Sequence, residues 1–341
     1  MSAPVASIVI PCRNAERTLP SALASALASS LESIEVLAVD DGSTDGTPRI
    51  LESAALSDPR VRTFASGGRG VSAARNMALD AARGEFVFFL DADDLVDPDM
   101  YLKAVEAMRR DDADYCRVAH DETFLATGRL VEHPLKRDYR FRSQEEIRAG
   151  LLPCFFGYSF DQVRAWYRGE PLWTHREKGV VWAAGFRLAL IRSRGIRFDE
   201  RLALFEDAVF TWEYLLACVR TTSIGGIMYH YRLSPSGSLL TRLSGSGMVE
   251  NKFLMLERRK ALDAATGGAM TGLYAASCVF SLLEILHAAV VGIGNRRESF
   301  RAFLRYGRDP VVKTALRSFP LSVRKPLLAA SVLACRLLFP A

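Results

Sequence analysis

The chain lacks a paired-cysteine framework, a histidine ligand set and a clean membrane-spanning run, and each absence closes off a class of function. Cys12, Cys116, Cys154, Cys218, Cys278 and Cys335 are scattered, with no C-x-x-C pair and no segment that reads as a signal peptide. Reduced thiols in a cytoplasmic protein are therefore expected. The five histidines show no metal-ligand spacing, which argues against a zinc site. No run of about 18 uncharged apolar residues is present. The nearest, 268–294, contains Glu284 and His287, and 326–340 contains Arg336. No G-x-x-x-x-G-K-[ST] loop, internal repeat or low-complexity tract occurs.

What remains is an ordinary globular composition over 341 residues, 49% hydrophobic and 24% charged, enough for two or three structural units. The formal charge of +5 is uneven. Residues 296–341 hold ten Lys or Arg against Glu298 and Asp309, a net of +8, which leaves −3 for the rest. A generally nucleic-acid-binding surface is not expected from such a distribution. The basic tail joins the apolar stretch 326–339, which suits either a helix lying on an anionic membrane surface or a helical subdomain that packs or dimerises.

The first 110 residues alternate between short apolar runs and helical patterns. Strands are predicted at 5–10, 34–39, 61–65 and 85–90, with helices between them, including one at 71–82. Continuous apolar strands separated by helices imply a parallel sheet covered on both faces, with ligands bound outside the strands' carboxyl ends. A further strand is expected at 112–120, loops and short helices over 121–180, a helix at 206–219, a strand at 226–233, and helices from about 248 onward. The corresponding division is a nucleotide-side α/β domain at 1–120, an acceptor-side part at 121–245 and a helical region at 246–341.

"FVFFLDADDLVDPD" (86–99) runs a buried strand straight into five carboxylates. Acids at i and i+2 leaving a strand can converge on one hard divalent cation, Mg²⁺ or Mn²⁺, which keeps open positions for a substrate diphosphate. Asp91 and Asp93 are the candidates, whereas Asp97 and Asp99 read as a solvated helix start. A haloacid-dehalogenase reading of the D-x-D fails because the run comes fourth in the strand order and lacks the expected Thr or Val. "DGSTDGTPRILE" (41–52) mimics a calcium loop, but it follows a strand and places Pro48 where a free N–H is needed.

"VDDGSTDGT" (39–47) suits a base and ribose contact, or a plain Asp-Gly turn. "SGGRGVSAARN" (66–76) supplies a glycine-rich entry to a helix N-terminus, an anion site in principle, with Arg69 and Arg75 nearby.

Taken together, "SIVIPCRN", "LAVDDGSTDGT", "GVSAARNMALDAARGEFVFFLDADD", "LFEDAVF" and "YRLSPSGSLLTR" resemble, in order and spacing, the inverting glycosyltransferases of family 2 with the GT-A fold. The resemblance spans residues 5 to about 243. It implies a nucleotide-sugar donor, UDP-sugar by default, held by Pro11, Arg13, Asn14, Asp40, Asp41, Arg75, Asp91 and Ala92. Asp41 would contact the base with Asp40 beside it. Asp91 and Asp93 would ligate the metal, and Asp207 would act as general base with Glu206 as its substitute. The implied acceptor is a glycan or lipid-linked glycan precursor on the inner face of the cytoplasmic membrane. Arg13 stands where the family usually has an aromatic, so its guanidinium plane replaces the usual base platform. A nucleotide-binding accessory protein would have lost D-x-D or "ED". A sugar nucleotidyltransferase would carry a GxGxR-type stretch with a following Lys after the first strand, which "PCRNAERT" is not.

Overall fold

The computed structural model describes residues 3–135, 137, 139–157, 159–167, 179–233, 246–291 and 296–318. The motif residues after Leu233 and the apolar stretch 326–340 lie outside the described residues. Two compact units divide the chain, Met1–Leu151 with Val180–Ser238, and Leu152–Gly179 with Leu239–Ala341.

The first unit is built on one nine-stranded sheet. Its strands are β1 (Ala6–Cys12), β2 (Ile34–Asp40), β3 (Val61–Ala65), β4 (Phe86–Phe89), β5 (Leu95–Val96), β6 (Tyr115–Phe124), β7 (Arg129–His133), β8 (Ala184–Arg187) and β9 (Thr221–Leu233). They lie in the order β3-β2-β1-β4-β8-β6-β9-β5, with β7 hairpinned onto β6. β1 to β4 pair in parallel. β8 is antiparallel to both β4 and β6, and β9 is parallel to β6. Hence β6 and β9 run in the same direction as β1 to β4, and six carboxyl ends share one edge.

The apolar strands mark a sheet buried on both faces. One face packs Ile8, Ile10, Val36, Phe86 and Phe88 against α1 (Leu19–Leu27) and α4 (Met100–Arg110). On the other, Phe89, Phe186, Phe198, Phe210 and Tyr214 form a chain of edge-on and stacked rings. Each such ring, fully buried, contributes about 1.5–3 kcal/mol. This aromatic layer seats α9 (Glu206–Ala217), and α3 (Val71–Ala81) packs on β1 and β2. α2 (Thr47–Ser57) lies on β3, and α8 (Leu188–Arg194) follows β8. Residues 121–133 form a hairpin, where loops were expected. The two strands expose Leu125, Arg129 and Leu130 around a turn at Gly128, so their outer edge carries no buried apolar run to read.

In the first unit, α5 (Gln144–Glu146) leads into a π-helical turn at Ile147–Leu151. The second unit's described elements are all helical: α6 (Leu152–Phe156), α7 (Phe160–Tyr167), α10 (Ser246–Ala265), α11 (Thr271–Val291), α12 (Arg296–Gly307) and α13 (Pro310–Ser318). Phe303, Val312 and Leu316 are buried there, so the described part of the basic tail turns its apolar side into this helical packing. Lys260 of α10 meets Asp309 at 3.0 Å. Among the described residues no helix is long and apolar enough to cross a membrane.

Gly185 sits at the centre of the sheet opposite Phe88. A Cβ there would lie 2.6 Å from Phe88 Cε1 and 3.2 Å from Met108 Sδ, both on fully buried side chains. Gly185→Ala is expected to cost about 1–3 kcal/mol by overpacking, read as a lower urea midpoint at an unchanged slope.

Candidate functional site

At the shared carboxyl edge, register brings four loops together. Cys12 pairs with Asp40, and Asp40 with Ala65, so the turns after β1, β2 and β3 start level. The first two are laced by hydrogen bonds. Asn14, at φ 50°, receives the Thr44 amide on its Oδ1 at 2.8 Å and donates its own amide to Ser43 Oγ at 2.9 Å. The Ala15 amide reaches Thr47 Oγ1 at 2.8 Å, and the Gly46 amide reaches Glu16 Oε2 at 2.8 Å. Gly42, at φ 72°, comes so near the glycine loop that a Cβ would sit 3.1 Å from Gly68. That contact requires glycine on steric grounds.

Asp41 ties these turns to the next. It is 3% exposed and accepts from Ser66 Oγ at 2.6 Å, from the Gly70 amide at 3.0 Å and, more weakly, from Arg13 Nη1 at 3.4 Å. The glycine-rich entry to α3 thus presents an amide to this protein's own carboxylate, the kind of anion such a helix start favours. Asp40 accepts the Ser43 amide at 3.2 Å. Pro11 closes β1 within the ladder opposite Val39, and Arg13 leaves its side chain 57% exposed beside Asp41. A cleft of about 470 Å³ along α2 and β3, lined by Leu51, Leu56, Phe64 and others, touches this edge at Asp40 and Ala65.

The acid turn after β4 divides its carboxylates among different tasks. Asp91 accepts from Arg75 Nη2 at 2.9 Å, while its amide donates to Tyr229 Oη at 3.3 Å. Ala92 is buried, and Asp93 reaches solvent. Asp94 is fully buried and accepts from Tyr229 Oη at 2.7 Å and from the Arg232 amide at 2.8 Å. Burial, then the neighbouring Asp91 and Asp93, push the Asp94 carboxyl well up. Desolvation, then the Asp91 charge, likewise raises the Asp93 carboxyl to about 6. The Arg232 Nε donates to the Asp93 carbonyl, and its buried Nη2 has no hydrogen-bond partner among the described residues.

The beginning of α9 completes the edge. Phe205 enters the helix at φ 66°, a strained setting for an aromatic residue, with its ring 44% exposed. Glu206 is held by Arg75 Nη1 at 2.8 Å. Asp207 accepts the adjacent Ala208 amide at 2.7 Å. Burial, then the Glu206 charge, lift the Asp207 carboxyl to about 7. Arg75 itself is 4% exposed, with Phe198 5.3 Å from its guanidinium. Burial alone would lower its pKa, but Asp91, Glu206 and Asp207 around it hold it up. One cation therefore joins α3, the acid turn and α9.

All the residues singled out from the sequence at 11–14, 40–41, 75, 91–93 and 206–207 fall on this edge. Tyr229, Arg232 and Asp94 escaped that reading. Their signal was present, since 226–233 was predicted as a strand, and its partner in the ladder was not. The spacing of the histidines also concealed a cluster: His120, Glu122 and His133 bring ligating atoms within 4.8 Å of one another across the β6–β7 hairpin.

A sheet of parallel β1–β4 extended by β8, β6 and β9, with an acid turn after β4 and a carboxylate pair opening α9, defines a GT-A-type α/β fold. Residues 7–166 match the family model described as "Glycosyl transferase family 2". The chain is 31% identical over 266 residues to the succinoglycan biosynthesis protein ExoO of Rhizobium meliloti (strain 1021), covering 76% of this chain and 70% of that one. Among solved structures, S. aureus TarS 1-349 in complex with UDP-GlcNAc aligns over 98% of this chain and 89% of its own, at a TM-score of 0.66 and 19% identity. The mannosyltransferase PcManGT from Pyrobaculum calidifontis, in complex with GDP-Man and Mn²⁺, aligns over 99% and 87%, at 0.50 and 16%. The chain belongs to glycosyltransferase family 2 and is a glycosyltransferase.

Removing one partner of a buried ion pair strands the others. Arg75→Met is expected to cost about 3–5 kcal/mol in urea unfolding, and adding Glu206→Gln should recover part of that loss.

Proposed function

We propose that the chain moves one hexosyl or hexosaminyl unit, with inversion, from a UDP-sugar to a hydroxyl of a glycan or lipid-linked glycan precursor. The observation that carries this reading is the meeting, around Arg75, of the Asp91–Asp94 turn with Asp207. Residues 1–120 form the donor side and 121–245 the acceptor side. Peripheral membrane or dimer contact through 296–341 rests on its charge and apolar content alone.

The acid turn fits a divalent cation of the Mg²⁺ or Mn²⁺ class. It holds three carboxylates, with the Arg75 guanidinium on Asp91 and Arg232 beside Asp93. Asp93 and Asp91 would be its ligands, an all-oxygen set suited to a hard ion. Bound there, the ion would neutralise charge developing on the leaving diphosphate.

The remaining steps belong to the chain. Arg13 offers its exposed guanidinium plane to the base, with Asn14, Pro11 and Asp40 shaping the floor and Asp41 fixing the height of Arg13 and Gly70. Ala92 keeps the turn low where the ribose passes. Asp207 takes the proton of the acceptor hydroxyl as its oxygen bonds to the anomeric carbon and the bond to the diphosphate breaks, releasing UDP. Glu206 is committed to Arg75, which favours Asp207 as the base.

The deciding experiment measures UDP release from a panel of nucleotide sugars, with an acceptor mixture, in Mn²⁺ and in chelator. Turnover should require the ion and fail in Asp93→Asn. Equal turnover by both proteins would remove the metal assignment, and no turnover with any donor would favour an accessory binding role.

Asp207→Asn should lower kcat by about 10²- to 10⁴-fold. A base must be deprotonated to act, so a carboxyl raised to about 7 makes the wild-type rate fall as pH drops through 7. Residual activity in Asp207→Asn should lack that limb, and a rate profile unchanged by the substitution would assign the base elsewhere.

A further inference from the structure

A second group of ligating side chains lies outside the carboxylate edge, on the β6–β7 hairpin. His120 and His133 are opposed in the antiparallel register, and Glu122 follows His120 by two residues on the same strand face. Opposed residues hold their Cβ atoms about 4.5–5.5 Å apart, and alternate residues share a face, so three side chains so placed can close on one point. Here the ligating atoms all lie within 4.8 Å of one another. The two imidazoles stack at 4.8 Å with planes 16° apart, and His133 Nε2 is 3.4 Å from Glu122 Oε2. His120 is 6% exposed and meets the edge of Trp182 at 4.8 Å, which fixes its ring.

We propose that His120, Glu122 and His133 bind a first-row transition ion of the zinc type, at a site separate from the oxygen ligands of Asp91 and Asp93. Two imidazoles and one carboxylate form a three-ligand zinc set with a fourth position left open, whereas Mg²⁺ and Ca²⁺ prefer oxygen alone. Zn–N bonds of about 2.0–2.1 Å in a tetrahedron need ligand atoms roughly 3.4 Å apart, which small rotamer adjustments from the observed spacing supply. An ion pair between Glu122 and His133 accounts for two of the three residues. It gives no reason for a second imidazole to be stacked on the first and wedged against Trp182. Trp182 also stacks on Tyr229 and Tyr231, at 4.5 and 5.2 Å, and Tyr229 holds Asp94. An ion on the hairpin therefore braces the wall directly behind the acid turn.

The test uses the full-length protein, stripped with chelator and titrated with Co²⁺ and Zn²⁺, reading the visible absorption of bound Co²⁺, metal per chain and the thermal shift. Wild type and Asp93→Asn should each take up the ion with a tetrahedral Co²⁺ spectrum and gain thermal stability. His133→Ala and Glu122→Gln should lose that spectrum and bind Zn²⁺ more than about 100-fold more weakly. Both residues lie on the hairpin with partly exposed side chains, and circular dichroism checks their folding. Should one variant fail to fold, the other carries the comparison. Absence of Co²⁺ bands in the wild type, an unchanged spectrum in a folded hairpin variant, or loss of the spectrum in Asp93→Asn would each overturn the site.

Discussion

Everything at the carboxyl edge depends on one buried guanidinium. Asp91, Glu206 and Asp207 arrive from segments more than a hundred residues apart, and without a cation between them their charges would push α9 away from the acid turn. At an effective dielectric near 20, two unit charges at contact distance interact by about 4 kcal/mol, comparable with a large part of a domain's net stability. Arg75 reverses the sign of that interaction. It also separates the two carboxylates of the "ED" pair, holding Glu206 in a direct ion pair while Asp207 accepts the Ala208 amide.

The turns after β1, β2 and β3 are organised in the same manner, with a carboxylate at their centre where the acid turn and α9 share a cation. Asp41 draws in a hydroxyl, a helix-entry amide and an arginine, so the turns after β1, β2 and β3 are fixed before any ligand arrives. Groups held beforehand need not be ordered on binding. The acid turn differs, since Asp94 is fully occupied while Asp93 faces outward.

Much of this was legible in the sequence because parallel strands buried on both faces read as unbroken apolar runs, and ligands gather where such runs stop. The strands at 34–40 and 86–89, the D-x-D turn and the "ED" start of α9 all declare themselves in this way. Pairing does not. That Glu206 would meet Arg75, or Tyr229 grip Asp94, depends on which strand lies beside which, and local pattern carries no record of it. The β6–β7 hairpin was missed for a related reason. Its exposed edge mixes Glu, Arg and Leu without alternation, and the two histidines it opposes are thirteen residues apart in the chain.

β9 lies between β6 and β5, strands synthesised about a hundred residues before it. Until it slides into that slot, Asp94 has no hydroxyl and no amide to hold it, and the acid turn stands unbuttressed. A chain still on the ribosome, with β1 to β4 already folded, is therefore a sheet with a gap. Long-range insertion of this kind is slow compared with local folding, and it leaves unpaired strand edges open meanwhile. The acid turn's support thus arrives with β9, the last described strand of the first unit.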